Sequence, residues 1–459
     1  MSHKRLNWEN KSINPADYFE MVRTGKDDIL LESAREGVTG RYSYIALNPK
    51  TIFKAKGENI WINGKYAKGK PFDIFRETFD KECPKSMKKP KDVPLFYAGA
   101  IGYLGYDLKN SLEPKLKTSA TDDAGFWDMY MVFPQQIISF DHQNEEIHLF
   151  SEDDSQIARL KKMIQECRVN PTNENRPDST KTNPEIHTNL SFGQYLPLFD
   201  KAMAYVRDGH TYQVKLSIRH ELDINEDSFE IYKRLRKINP SPYASYLDLE
   251  SICLVGCSPE ELLKVEGRIA QTRPIGGTYR RGKNTVEDEA IAKEFFKDPK
   301  EVAEHVMLID LERNDLGRVC KLGSVRVTDR MALEKYSHLM HIVTTINGEL
   351  SDHKTSFDLV RSMFPGGTVT GCPKIRTMEI IDELEPVARG PYTGSVGFFT
   401  PNDESQFNII IRTLAINKKT NKGYIQVGGG IVEASNAEYE YEEDLKKGRA
   451  LVEAVLANK

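Results

Sequence analysis

The chain has 459 residues, too many for one small module and enough to bury a large core. Its 64 basic and 68 acidic side chains nearly balance, which excludes a general polyanion binder. It has no apolar run near the about 18 residues of a membrane span, no apolar signal-peptide core, and only six cysteines. We therefore expect a cytoplasmic globular enzyme with no nucleic-acid or membrane partner.

The amino-terminal part, residues 1–167, is predicted to consist of short strands joined by turns, with few helices before residue 155. Its segment LFYAGAIGYLGYD contains closely spaced small residues, which indicate that backbones approach each other closely inside a sheet. Strand patterns lie at 41–47, 51–57, 59–64, 135–141 and 146–150, and a helix is predicted at 155–167.

Residues 168–190 are rich in Asn, Pro, Thr and charge, and they predict a linker because such a segment cannot bury enough apolar surface. The linker precedes a catalytic region at 191–459, where short connections between strands favour antiparallel pairing. The predicted fold class is α+β, or layered α/β, with antiparallel sheets sandwiched by helices. Helix patterns cover 192–208, 226–238, 285–318 and 435–457, and strand patterns cover 211–222, 243–248, 252–257, 340–348, 393–400 and 405–416.

The helix predicted at 285–318 contains an apolar turn, 306–309, which indicates burial. Polar residues beside that turn therefore need partners. One interpretation is an internal ion-pair network, such as Asp310 with Arg313. The other makes Glu304 a ligand of a hard divalent cation.

The last helix carries Glu440, Glu443 and Lys447 at a spacing that places them on one face. A solvated charged face is one interpretation of this pattern. Carboxylates from two helices, completed by waters and substrate oxygens, would also suit Mg²⁺, which binds few protein ligands.

Two glycine-rich segments predict anion recognition. In FPGGTVTGCPK, 364–374, a glycine turn precedes a helix start, where backbone N–H groups attract carboxylate or phosphate. The segment is not a Walker motif, since Gly-Lys-Ser/Thr is absent. In QVGGGIV, 426–432, the triple glycine indicates either close approach to a ligand or a tight turn.

Taken together, these motifs resemble the chorismate-utilising enzymes, which include component I of anthranilate synthase and of aminodeoxychorismate synthase. The resemblance covers almost the whole chain and implies the fold of anthranilate synthase component I. The matching blocks are LLES (30–33), YQVKLSIR (212–219), NPSPY (239–243), CSPE (257–260), TRPIGGT (272–278), AEHVMLIDLERNDLGRV (303–319), EKYSHLMHIV (334–343), FPGGTVTGCPK (364–374), IIDELEP (380–386), FNIIIRT (407–413), GGGIV (428–432) and the final acidic helix.

The resemblance implies a dianionic substrate, chorismate, and a Mg²⁺ cofactor that binds its ring carboxylate. Glu260 of CSPE matches the general acid that protonates the departing C4 hydroxyl, a role that requires a raised carboxyl pKa. The other implied site residues are Glu304 and Glu443 as metal ligands with Glu440 near the metal; Tyr392, Arg412, Lys447 and the backbone of Gly428, Gly429 and Gly430 for the enolpyruvyl carboxylate; and Thr368 and His341 along the ring.

Gln213 separates amination from hydration in this comparison. Family members that make isochorismate or salicylate have a lysine base at that position, which activates water. A neutral amide cannot deprotonate water but can hold ammonia, so hydration is disfavoured. An inactive scaffolding relative is also disfavoured, because every position implied for acid, metal and carboxylate is filled.

Gly276 bears on which carbon is aminated. In many aminodeoxychorismate synthases a lysine at this position attacks C2 before ammonia enters at C4, whereas anthranilate synthases usually have alanine there. Gly276 therefore favours anthranilate, a lyase product. FNIIIRT, PYTGSVGFF and GAIGYLGYD instead resemble the aminodeoxychorismate group, and we weigh these blocks above one position. The predicted activity is formation of 4-amino-4-deoxychorismate, of the transaminase class, with anthranilate synthase as the alternative.

The resemblance also implies further ligands and partners. Ammonia would come from a glutamine amidotransferase subunit, and a separate lyase would convert the product into 4-aminobenzoate for folate synthesis. A tryptophan site is implied in the amino-terminal region; the alternative is that Glu32 and Ser33 only end a core strand and that the prolines form a rigid turn. The residues of this site would be Leu31, Glu32, Ser33, Asn239, Pro240, Ser241, Pro242 and Tyr243.

Overall fold

A computed structural model describes residues 1–10, 12–33, 40–84, 86–116, 119–167, 185–335 and 339–456. The strands are β1 Ser2–Asn7, β2 Asp28–Glu32, β3 Tyr42–Lys56, β4 Asn59–Ile62, β5 Lys65–Lys68, β6 Ala100–Leu104, β7 Met129–Asp141, β8 Glu146–Ser151, β9 His187–Thr188, β10 Gln213–Asp223, β11 Tyr243–Asp248, β12 Ile252–Ser258, β13 Glu261–Glu266, β14 Ile269–Thr272, β15 Ile275–Arg280, β16 Arg326–Lys335, β17 Leu339–Glu349, β18 Gly371–Cys372, β19 Ser395–Phe399, β20 Ser405–Ile409, β21 Thr413–Asn417 and β22 Lys422–Ile431. The α-helices are α1 Pro15–Val22, α2 Pro71–Glu82, α3 Lys109–Leu112, α4 Asp154–Glu166, α5 Phe192–Arg207, α6 Ser228–Ile238, α7 Thr285–Lys297, α8 Pro299–Gly317, α9 Ser356–Met363, α10 Gly367–Thr370, α11 Lys374–Leu384 and α12 Ala437–Leu456.

The strands form two layers that share the long strands β3 and β7. The first layer runs β1–β8–β7–β3–β2–β11–β12–β21–β22–β10. The second runs β5–β4–β3–β7–β6–β19–β20–β13–β14–β17, and β15 and β16 both pair with β17. All these pairs are antiparallel, as the short connections predicted.

Three apolar clusters hold the layers and helices together. One packs the first layer against α1, α4, α5, α6, α11 and α12, and another packs the second layer against α2, α8 and α9. The third lies between the two layers, where the rings of Tyr44 and Phe398 are 5.3 Å apart. The predicted class, antiparallel sheets sandwiched by helices, is confirmed.

Several predicted elements have different boundaries in the structure. The amino-terminal part contains α1 and α2 as well as strands, and α1 begins at Pro15 behind an Asn14 cap that accepts two backbone N–H groups. The helix predicted at 285–318 is two helices, because Pro299 cannot continue α7 and starts α8. The strand predicted at 405–416 is interrupted between β20 and β21, where Arg412 has a φ of 51°.

The predicted linker falls largely outside the described residues, since only 185–190 of it are described. Strands from either side of it pair directly: β2 with β11, and β6 with β19. The domain limits 1–167 and 191–459 stay a prediction. Within the described ranges, no helix is long and apolar enough to cross a membrane.

Candidate active site

Strand β10 presents one apolar and one polar face, as expected for a strand with a buried side. Val214, Leu216 and Ile218 point into the core of the first layer. Gln213 and Lys215 alternate with them and therefore lie on the opposite face. This polar face forms one wall of the candidate site.

The triple glycine of β22 lies beside β10, with Gly430 opposite Lys215 and Gly429 opposite Leu216. A methyl group on Gly429 would lie 2.9 Å from Oδ1 of Asp444 and 3.2 Å from Oε2 of Glu440. Close approach of α12 to the strand therefore explains the glycine. The alternative of a tight turn is wrong, because the glycines lie within a paired strand.

Gln213 and Glu304 connect β10 with helix α8. Nε2 of Gln213 donates a hydrogen bond to Oε1 of Glu304 at 2.6 Å. The side-chain amide oxygen of Gln213, Oε1, is buried and has no hydrogen-bond partner among the described residues. An acceptor in this position suits an N–H donor from a ligand.

Glu260 follows β12 and is 6% exposed. Burial raises the pKa of its carboxyl, and the Thr368 hydroxyl and the charges of Lys215 and Arg412 oppose that rise. Within the described part of the chain, neither Oε1 of Glu260 nor Oγ1 of Thr368 completes a hydrogen bond. A buried carboxyl with a free oxygen is suited to donate a proton to a ligand.

Cationic side chains lie on the other side of the site. Arg412 forms no side-chain hydrogen bond or ion pair with a described residue, and burial lowers its pKa. Lys447, in contrast, is ion-paired: its Nζ lies 3.0 Å from Oε1 of Glu443 and 3.1 Å from Oδ1 of Asp444. It also donates to the carbonyl oxygen of Gly428 at 3.3 Å. The hydroxyl of Tyr392 approaches the same glycine, 2.9 Å from where its Cβ would be.

His341 and Gly276 lie on the paired strands β17 and β15, and His341 is 4% exposed. A methyl group on Gly276 would come within 2.3 Å of Nδ1 of His305, a fully buried ring that hydrogen-bonds with the Thr344 hydroxyl at 2.7 Å. The space that a longer side chain at 276 would need is thus occupied by His305.

The sequence profile of the chorismate binding enzymes matches residues 26–453. The chain belongs to this family of enzymes.

Individual relatives include both amination activities. The aminodeoxychorismate synthase component 1 of Bacillus subtilis is 40% identical over 95% of this chain and 93% of its own length. The anthranilate synthase component 1 of Acetivibrio thermocellus is 38% identical over 96% and 92%. The solved anthranilate synthase component I of Streptococcus pneumoniae superposes with a TM-score of 0.79 at 30% identity, covering 91% of this chain and 93% of that one.

The donor groups of this chorismate-binding enzyme fit Mg²⁺, although no three Asp, Glu, His or Cys side chains in the described ranges form a ready-made metal cluster. Mg²⁺ typically takes one or two carboxylates and completes its shell with water and substrate oxygens. Oδ2 of Asp444 is buried without a hydrogen-bond partner in the described chain, and burial raises the pKa of this carboxyl to about 6. Of the three predicted ligands, Glu304 lies near the Lys215 ammonium, Glu440 lies against Gly429, and Glu443 pairs with Lys447. That these three hold the metal stays a prediction.

Not every expected charge lies where it was expected. Asp310 and Arg313 do pair, at 2.8 Å, but with 63% and 51% of their side chains exposed. Their expected burial is wrong, because the buried side of α8 is formed by other residues, which include Leu308, Ile309 and Leu316.

A second cavity of about 810 Å³ is lined by residues from before and after the predicted linker of this chorismate-binding enzyme. Its walls include five of the residues predicted for tryptophan: Leu31, Glu32, Ser33, Pro242 and Tyr243. Asn239, Pro240 and Ser241 are not among its lining residues. Glu32 is bound by Arg236 at 2.7 Å and by the Tyr232 hydroxyl at 2.7 Å, so its carboxylate is neutralised within the protein. Tryptophan binding stays a prediction.

Sequence reasoning missed two site residues, Lys215 and Asp444. The signal for Lys215 was present in β10, where polar and apolar residues alternate. Asp444 was hidden among the acidic residues of α12, and only the contact with Gly429 distinguishes it from its exposed neighbours.

Proposed function

We propose that the chain aminates chorismate with ammonia to give 4-amino-4-deoxychorismate. The observation that carries the proposal is Gln213, a neutral amide bound to Glu304 where a water-activating enzyme of this family would need a base. The amide oxygen can accept a hydrogen bond from ammonia, which is already a nucleophile and needs no deprotonation before attack.

The reaction needs an acid on the leaving hydroxyl. Nitrogen bonds to the ring carbon as the C–O bond breaks, and the oxygen departs as water after taking the proton of Glu260. Burial raises the pKa of Glu260, which favours the protonated carboxyl over that of an ordinary solvated glutamate. The ammonium formed on the product then releases one proton. This proton replaces the one that Glu260 gave up, so the reaction consumes no net proton.

The remaining side chains bind and orient the substrate. Arg412, the Tyr392 hydroxyl and the backbone of β22 would bind the enolpyruvyl carboxylate, since guanidinium and N–H groups form strong hydrogen bonds to carboxylates. Lys447 would assist from its ion pairs with Glu443 and Asp444. Mg²⁺, held by Glu304 and the acidic face of α12, would neutralise the ring carboxylate.

Amination at C4 is supported by three sequence blocks that form one structural unit. GAIGYLGYD supplies β6, PYTGSVGFF supplies β19, and FNIIIRT supplies the end of β20 and leads to Arg412; the three strands pair in that order. Gly102 lies opposite Gly397 in this unit. Two of these blocks contain residues proposed for substrate binding, Tyr392 in PYTGSVGFF and Arg412 in FNIIIRT. The resemblance to the aminodeoxychorismate group therefore includes residues of the proposed site.

Anthranilate formation is the second candidate, and Gly276 favours it. With His305 against Gly276, the lysine-dependent route to C4 has no place in this site. Amination at C4 would then proceed without a covalent lysine intermediate, whereas anthranilate synthesis needs none.

The ammonia source is proposed to be a glutamine amidotransferase subunit. Relatives named as component 1 are by that name one part of an enzyme with a further component. A lyase would act next on 4-amino-4-deoxychorismate.

The test is incubation of the purified chain with chorismate, Mg²⁺ and ammonium, with products separated by chromatography. We expect a non-fluorescent amino-chorismate that becomes 4-aminobenzoate only after a lyase is added, and loss of turnover when EDTA removes the metal. Fluorescent anthranilate without lyase would replace the first candidate by the second. Isochorismate formed without ammonium would contradict both.

A further inference from the structure

Lys215 differs from its neighbours on the polar face of β10. Gln213 is bound to Glu304 at 2.6 Å, Ser217 to Glu385 at 2.9 Å, and Arg219 to Asp123 at 2.8 Å. The Lys215 ammonium forms no hydrogen bond or ion pair with any residue that the structure describes. It is the one polar side chain among these four without a partner in the described chain.

The backbone of Lys215 is held firmly. Its carbonyl oxygen accepts a hydrogen bond from Nη2 of Arg389 at 2.7 Å, and the residue pairs with Gly430 across the strands. Arg389 is itself fixed by Glu385 at 2.7 Å. The direction of the Lys215 side chain is therefore set by the strand, and the ammonium points into the site.

The charges around this ammonium are those of the site. Glu304, Glu260 and Asp444 attract it, and Lys447 repels it. Glu304 already accepts from Gln213, and Asp444 is paired with Lys447. Burial accordingly lowers the pKa of Lys215, because nearby carboxylates do not fully replace the water it has lost.

Lys215 is half-buried, and an ammonium that lines a site without a hydrogen-bonding partner from the described chain is available to an anionic ligand. We propose that Lys215 contacts the substrate directly and binds one of its carboxylates. It would be a third cation beside Arg412 and Lys447, and the only one of the three carried by β10. This inference rests on the proposed function in so far as the substrate is a dianion.

A purely electrostatic role is the rival explanation. In that case the ammonium would only offset the carboxylates of Glu304 and Asp444, and its removal would change Mg²⁺ affinity rather than substrate affinity. Measurements at saturating Mg²⁺ separate the two explanations.

The experiment compares wild type, Lys215→Met and Lys215→Arg at saturating Mg²⁺ and ammonia. A contact between charged groups predicts a KM for chorismate about 10- to 100-fold higher in Lys215→Met, with a smaller change in kcat. Lys215→Arg, which keeps the charge, should recover part of the lost affinity. Lys422→Met, in an exposed ion-paired position of β22, is the matched control and should behave as wild type. A wild-type KM for chorismate in Lys215→Met at saturating Mg²⁺ overturns the contact, also where a separate Mg²⁺ titration shows a changed activation constant.

A binding measurement that needs no turnover keeps the two proposals separate. Isophthalate, an aromatic dianion, is titrated calorimetrically into wild type and Lys215→Met with Mg²⁺ present, after circular dichroism has confirmed folding. Weaker binding to the variant supports the contact even if the wild type makes neither proposed product. Equal binding overturns the contact even if amination is confirmed.

Discussion

Glu260 gains its chemistry from its surroundings rather than from its residue type. Its carboxyl is buried, its Oε1 atom has no hydrogen-bond partner in the described ranges, and its pKa is raised by desolvation. An ordinary glutamate would be almost fully ionised at neutral pH and would be a poor proton donor.

We expect Glu260→Gln to lower kcat about 100- to 10,000-fold with little change in KM, since proton donation acts in the transition state. Because the acid must be protonated, wild-type kcat should fall as pH rises through the raised pKa, and the variant should lose that dependence. Steady-state kinetics across pH, at constant free ammonia, measures both effects.

Glu261→Gln is the control for this variant. Glu261 is equally buried, but its carboxylate faces away from Glu260 and accepts hydrogen bonds from Gln406 at 3.0 Å and Tyr243 at 3.1 Å. Its amide can keep one of these bonds, so kcat should stay near that of wild type. An unchanged kcat in Glu260→Gln would contradict the acid assignment.

The predictability of the site differs from residue to residue. Glu260, Gln213 and Glu304 were predicted by resemblance, and the structure places them around one space. Lys215 was missed, because a lysine within a strand ordinarily lies on the surface, and only the folded chain shows Glu304, Glu260 and Asp444 near its ammonium. The ion pairs of Lys447 join it to Glu443 and Asp444, four and three residues earlier on the same helix, a spacing that the sequence does show.

At the scale of elements, the contact between Gly276 and His305 sets the distance between β15 and α8. The strand has an irregular register at this point, between Ile275 and Gly277, and the helix carries Glu304 immediately before His305. Packing at Gly276 therefore influences the position of a proposed metal ligand.

Gly276→Ala should force His305 away and destabilise the protein by roughly 1–3 kcal/mol, as overpacking of a core typically does. Turnover should fall as well, because Glu304 moves with α8. In the double variant with His305→Ala the two nearest ring atoms are gone and only the contact with the Cβ of residue 305 remains, at 2.9 Å. Most of the overpacking is then relieved, so the two single-variant free-energy changes should sum to more than the loss measured in the double variant. Urea denaturation of the two single variants and the double variant provides the values; strict additivity would refute the contact.

Element boundaries show where sequence patterns are insufficient. The 3.6-residue periodicity of 285–318 continues through Pro299, so the pattern alone does not separate α7 from α8, although proline at the first position of a helix is common. The strand pattern of 405–416 likewise continues through Arg412, whose positive φ comes from its place in the site.

At the scale of the whole molecule, the regions before and after the predicted linker are joined by sheet pairing and by a buried ion pair. Nζ of Lys109, in α3, lies 2.7 Å from Oδ2 of Asp382, in α11, with 0% and 5% of their side chains exposed. Together with the β2–β11 and β6–β19 pairs, this contact predicts that the two regions unfold together.

Tryptophan fluorescence can test this coupling, since Trp8, Trp61 and Trp127 all precede the predicted linker. Catalytic activity reports instead on the region that contains Glu260 and Arg412. We expect the two signals to be lost at the same urea concentration. A separate tryptophan transition would show that the amino-terminal region unfolds by itself.

Asp382→Ala should move both transitions, because it leaves Lys109 charged and buried, at a cost of about 3–5 kcal/mol. The control is Glu383→Ala on the same helix, whose carboxylate pairs with Lys201 at 3.0 Å and is 42% exposed. An exposed ion pair contributes about 0–1 kcal/mol, so this variant should unfold nearly as wild type does. If Asp382→Ala displaced the activity transition alone, the ion pair would not couple the two regions, and only the shared strands would join them.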